Sequence, residues 1–231
     1  LILNSPNNPS GSNCKNFEGI AKVAKKYEII ILSDEIYTEL TFDREYKSIS
    51  KYYPEGTIIS SGLSKWCGAG GWRLGFFAIP KKLNSVLKTL KTLSSESFTA
   101  VSSPIQLAAV EAFQGNYSDY LNKTTAILDA VGNYVYDNLK SNKVLIQKPE
   151  GGFYLMPEFL NSKFKTSSEM CDDILNKSGV ALLPGSDFGF KPNKMLARLS
   201  YTDFNGEVFL KNIESGKKPD ADTIKKFAPN I

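Results

Sequence analysis

The 231-residue chain contains no histidine. That absence excludes Ser-His-Asp and Cys-His nucleophile systems, imidazole metal sites and imidazole acid–base catalysis. Any proton transfer falls to lysine, tyrosine, a carboxylate or a cofactor. Cysteine is scarce: Cys14, Cys67 and Cys171 are an odd set without close pairs. They make neither a disulfide framework nor a zinc knuckle, and they point to a reducing, cytoplasmic compartment. No metal site is expected. Long apolar runs are missing too, and none approaches the length that crosses a bilayer. Excess charge is small, +4 from 28 basic and 24 acidic residues, and the lysines are scattered. Without a basic stripe interleaved with aromatics, neither nucleic acid nor a membrane is expected as a partner.

What is present is an ordinary globular composition, 42% apolar and 23% charged. Leu1–Leu3 reads as a strand, and Asn4–Gly11, rich in proline, as a turn. Phe17, Ile20, Ala21, Ala24 and Tyr27 share one face of a helix, with lysines opposite. The run Ile29–Leu32 predicts a strand buried on both sides, completing a parallel βαβ unit. Glu39–Pro54 reads as a surface loop or short helix. Thr57–Pro80 predicts strand, glycine-rich loop, strand. Leu83, Val86, Leu87, Leu90 and Leu93 stripe one helix, and Pro104 opens another. Gly115 breaks the pattern before a long helix to Leu139. Beyond it, short strands at Val144–Ile146, Gly152–Met156, Val180–Leu183 and Leu196–Tyr201 alternate with helices over Ser168–Ser178 and Phe204–Ser215. Gly216–Ile231 is polar and is expected to fray. The fold class is α/β: a mostly parallel sheet with flanking helices over residues 1–115, then a smaller α+β domain over 116–231.

Several residues carry chemistry. Lys65 follows the first strand of Thr57–Pro80, with Ser61, Ser64, four glycines and Arg73 nearby. Taken alone it is a surface charge. With these neighbours it has the parts to hold an aldehyde that bears a phosphate: an amine for the aldehyde, hydroxyl and guanidinium for the phosphate. Asp34, with Glu35 beside it, lies just past a strand, where α/β sheets bind ligands. It is equally an N-cap for the turn that follows. Arg198 interrupts a strand between apolar residues, so it reaches either a surface partner or a site.

Ser-Lys at 64–65 followed by Gly-Gly-Trp-Arg-x-Gly at 70–75 resembles the cofactor-lysine motif of the class I/II aminotransferases, the fold-type I enzymes that use pyridoxal 5′-phosphate (PLP). Asn8-Pro9-Ser10-Gly11, Asp34-x-x-Tyr37 and the segment ending in Arg198 resemble further motifs of that family, in its order. The resemblance implies PLP as cofactor and Lys65 as the catalytic residue that holds it and moves the substrate Cα proton. It implies cofactor contacts from Asn8, Asp34, Tyr37, Ser64 and Arg73, and a carboxylate grip from Arg198. The implied reaction passes an amino group between an α-amino acid and a 2-oxo acid in a homodimer. A PLP lyase on the same scaffold, or a folded but incomplete fragment, is the alternative reading. The family commonly places serine where this chain has Gly62, so Ser61 or Ser64 is expected to substitute. Relatives also carry a long N-terminal half, with a phosphate cradle and a ring-stacking aromatic, ahead of the motifs matched here. The chain on its own is therefore expected to turn over weakly or not at all.

Overall fold

The computed structural model describes residues 1–45 and 47–231. They form two compact units. One comprises Leu1–Pro6, Cys14–Leu40 and Glu45–Ser118; the other comprises Asn7–Asn13, Thr41–Arg44 and Asp119–Ile231. Backbone hydrogen bonds explain why two short early segments belong to the second unit. The Glu150 N–H donates to the Gly11 carbonyl at 2.8 Å, and the Phe42 N–H to that of Glu150 at 3.0 Å.

The first unit begins with β1 (Ile2–Asn4), α1 (Phe17–Lys26) and β2 (Ile31–Asp34). It continues with β3 (Thr57–Gly62) and β4 (Gly75–Ala78). The sheet order is β1-β2-β3-β4; the first three strands are parallel and β4 is antiparallel to β3. Asn16 caps α1 by accepting from the Gly19 N–H at 2.9 Å. The helix packs Ala21 and Ala24 with Ile31, Ile49 and Tyr53, while Leu3, Phe17 and Ile20 close the cluster.

The βαβ unit is present, but β2 lies later than the apolar run suggests. Ile29 and Ile30 are 40% and 42% exposed. The Ile29 N–H bonds back to the Ala24 carbonyl at 2.8 Å, so these two residues finish the helix exit. The strand begins at Ile31 and draws in polar Ser33 and Asp34. Of the two readings of Glu39–Pro54, the structure takes the short helix rather than the surface loop. The segment forms short 3-10 turns at Thr38–Leu40, Ile49–Lys51 and Pro54–Gly56, with Leu40 and Ile49 buried.

Two helices complete this unit, α2 (Asn84–Ser97) and α3 (Ser103–Gln114). Their stripes are helical as expected, yet α2 buries no residue and α3 buries only Ala109. Leu93, Leu107 and Phe113 are more than half exposed.

The second unit contains most of α4 (Ser118–Leu139), with β5 (Val144–Leu145), β6 (Tyr154–Leu155) and β7 (Glu158–Phe159). After α5 (Ser167–Ser178) come β8 (Leu183–Pro184) and β9 (Ala197–Ser200). Strands β6-β9-β8 make an antiparallel sheet, and β5 pairs with β7. Thr166 caps α5, and Gly179 ends it at φ 71°, a left-handed conformation that favours glycine.

The last segment does not fray. Beyond α6 (Gly206–Lys211), residues Ala221–Phe227 form α7. Asp220 caps α7 by accepting from the Thr223 N–H at 2.9 Å. Ile224, Phe227 and Ala228 fall three and four residues apart on one helical face. Ile224 and Ala228 are buried, and the Phe227 ring lies 5.5 Å from that of buried Phe209. A polar average hid this short face.

Candidate functional site

Three parallel strands point their C-terminal ends to one edge, the edge where α/β sheets present ligand-binding residues. Asn4 ends β1 and Asp34 ends β2; they stand opposite each other, and Asp34 stands opposite Ser60 of β3. Ser64 and Lys65 follow two and three residues after β3, both half-buried.

Asp34 is half-buried, and its Oδ1 accepts weakly from the Ile36 N–H at 3.4 Å. Burial pushes its carboxyl above the ordinary aspartate range; the Ile36 N–H pulls the other way, and the charge of Glu35 adds to the rise. The adjacent carboxylate has a different task. Glu35 is buried, and its Oε1 accepts from Ser33 Oγ at 2.9 Å and Ser48 Oγ at 2.5 Å. It anchors the Ser48 loop while Asp34 stands at the strand end. The Asp34-x-x-Tyr37 pattern had singled out Asp34, but it gave Glu35 no task.

Tyr37 is buried just ahead of the Thr38–Leu40 turn. Lys65 Nζ lies 5.6 Å from the centroid of its ring, so amine and phenol come together. The loop after Lys65 turns through Gly70–Trp72 to Arg73, which takes a left-handed backbone at φ 54°. Arg73 is exposed and donates Nη1 to the Gly70 carbonyl at 2.8 Å. Among the described residues that is the one hydrogen bond of its guanidinium, so most of the five donors there stay available to an anion.

Gly62 has a steric reason. A Cβ there would lie 2.6 Å from the Leu74 carbonyl oxygen, across the β3–β4 pairing. A serine cannot occupy this position without moving the strand. Of the two suggested substitutes, Ser61 pairs with Phe76 in the ladder and lines a separate cavity of about 700 Å³ with Phe77, Leu90 and Phe98. Ser64 lies beside Lys65. Asn8, Asp34, Tyr37, Ser64, Lys65, Arg73 and Arg198 do not line that cavity.

In the second unit, Asn8 and Arg198 meet although 190 residues separate them: Arg198 Nη1 donates to Asn8 Oδ1 at 2.9 Å. The guanidinium carbon lies 4.4 Å from the Tyr154 ring centroid and 5.0 Å from that of Phe188. Two aromatic faces and an amide hold a half-buried fork, an arrangement suited to a planar carboxylate. Asn8, with its oxygen so engaged, keeps Nδ2 as the donating end of its amide. Sequence reasoning missed Tyr154 and Phe188, because nothing in their spacing connects them to Arg198.

Among the described residues, no group of three histidine, cysteine, aspartate or glutamate side chains could hold a metal ion. No helix among them is long and apolar enough to cross a membrane.

The chain is similar to known proteins in sequence and in fold. A family described as aminotransferase class I and II matches residues 1–211. The chain is 37% identical over 190 residues to a probable N-acetyl-LL-diaminopimelate aminotransferase of Bacillus subtilis (strain 168), covering 81% of this chain and 47% of that protein. It is 33% identical over 212 residues to an aspartate aminotransferase of Geobacillus stearothermophilus, covering 87% and 52%. The crystal structure of an aromatic aminotransferase from Pyrococcus horikoshii OT3 superposes with a TM-score of 0.79 at 30% identity, covering 87% of this chain and 54% of that one. The chain thus spans about half the length of the curated relatives it matches.

Proposed function

Because the chain belongs to the class I and II aminotransferase family, we propose that it is the cofactor-lysine portion of a PLP-dependent transaminase acting on an α-amino acid and a 2-oxo acid. Bound PLP supplies a conjugated ring that accepts the electrons left when the substrate Cα–H bond breaks. Lys65 holds the cofactor and moves the Cα proton through its amine. Asp34 would keep the ring nitrogen protonated and Tyr37 would donate to the phenolic oxygen; the Asn8 amide is assigned as a further cofactor donor by its motif. Arg73 and Ser64 bind the phosphate. Arg198 grips the substrate carboxylate with its stacked fork.

One observation carries the reading. An amine at the face of a buried phenol lies three residues beyond a parallel strand whose neighbour ends in a half-buried acid. An amine, a phenol, an acid and an exposed guanidinium in one unit are groups that suit a phosphorylated pyridine aldehyde. The names of the relatives favour transamination over elimination, since those compared are aminotransferases. A cytoplasmic setting draws support from three free thiols. A homodimer of the whole protein draws support from the uncovered apolar faces of α2 and α3.

The test is direct. The protein is incubated with PLP, treated with borohydride and digested, and the modified peptide is located by mass spectrometry. The label is expected on Lys65 and is expected to vanish in Lys65→Ala. Label retained by that variant at the same occupancy overturns the reading. On the whole protein, paired amino and 2-oxo acids separate the reactions: a transaminase needs both, a lyase only the first.

A further inference from the structure

Asn4 is the last residue of β1, and the parallel register sets it directly opposite Asp34, the last residue of β2. Residues so paired project to the same face of a sheet, with adjacent strands about 5 Å apart. The Asn4 amide uses that closeness. Its Nδ2 lies 3.2 Å from Asp34 Oδ2 and 3.1 Å from the Asp34 backbone oxygen. With the Ile36 N–H at Oδ1, both carboxylate oxygens accept from neutral protein donors. Among the described residues no lysine or arginine pairs with Asp34, and Glu35 is the charged group that acts on it. A half-buried acid without a cation depends on such donors for its orientation and its charge.

We infer that Asn4 is a positioning residue, which sets the Asp34 carboxylate for the ring nitrogen of a bound cofactor. The inference rests on the role proposed above for Asp34. The bond to the backbone oxygen would merely tie two strand ends together. The bond to Oδ2 does more, because it contacts the acid that the cofactor would use. An acceptor at position 4, or an apolar group of the same size, would leave Oδ2 without this donor.

The experiment reads the acid itself, in cofactor-free protein. The side-chain carboxyl of Asp34 is followed by carbon-13 NMR, assigned by its loss in Asp34→Asn. In Asn4→Leu its titration midpoint is expected to move up, because the charged form loses a donor. In Asn4→Asp it is expected to move up further, because a like charge replaces that donor. PLP affinity, read from tryptophan quenching, is expected to weaken about tenfold, the effect of one hydrogen bond to a charged group. A folded Asn4→Leu with an unmoved midpoint overturns the inference and leaves Asn4 as a strand tie. Where Asn4→Leu does not fold, the midpoint in Asn4→Asp decides in the same way. The functional reading fails separately, by label that survives Lys65→Ala, whatever the midpoint does.

Discussion

Asp34 pits stability against use. Burial raises its carboxyl pKa, so the folded chain binds this proton more tightly than the unfolded chain does. Stability therefore falls as pH rises from the ordinary aspartate range through the raised value. Asp34→Asn is expected to resist denaturant better than the parent at neutral pH. That advantage should shrink to nothing once the medium is acidic enough to protonate an ordinary aspartate. Denaturation midpoints at the two pH values check it, and an advantage that grows in acid would contradict it. Arg198 makes a second case. Arg198→Lys keeps the charge but loses the planar fork held by Asn8, Tyr154 and Phe188. In the whole protein, about tenfold or greater loss of affinity for a 2-oxo acid is expected, from one or two charge-assisted hydrogen bonds. Gly62→Ser would insert a side chain against the Leu74 carbonyl. Urea unfolding should show a loss of about 1–3 kcal/mol, as for other overpacked positions.

At the scale of elements, the strand ends matter more than the strands. β1 and β2 are only three and four residues long, yet their parallel register brings Asn4 and Asp34 together. The helices differ in what they bury. α7 is short, but Ile224 is 3% exposed beneath its cap. Ile224→Ala should cost about 2–5 kcal/mol, the usual range for a large-to-small change in a core, and thermal or denaturant unfolding reads it. α2 and α3 are longer, and they leave most of their apolar stripe in contact with solvent.

At the scale of the whole molecule, that exposure has a measurable consequence. Leu107 is 71% exposed and Phe113 51%, while Phe77 on β4 is 53% exposed. An exposed sheet strand beside uncovered apolar helices favours association. This chain by itself is expected to bind a hydrophobic dye and to associate with rising concentration in the ultracentrifuge. Leu107→Glu together with Phe113→Glu should weaken both signals without loss of helix content. A monomer at every concentration would show that these faces are inert.

Much of this protein could be read from local pattern. The helix over Phe17–Lys26, the strand–loop–strand around Lys65, the glycine stop at Gly179 and the aminotransferase motifs rest on residues close together in the chain, where periodicity and turn chemistry act. What stayed hidden depends on contacts between residues far apart. A local motif picks out Asp34, but Glu35 takes its place through the Ser48 hydroxyl, 13 residues further on. Nothing local gives Arg198 its partners, because Asn8 lies 190 residues away. Hydrophobic pattern told which face of α2 and α3 is apolar, but burial requires a second surface, and only tertiary packing decides whether one is there. Local sequence sets the kind of element because backbone preference is short-ranged; neighbours in space settle each side chain's work because hydrogen bonds and burial are not.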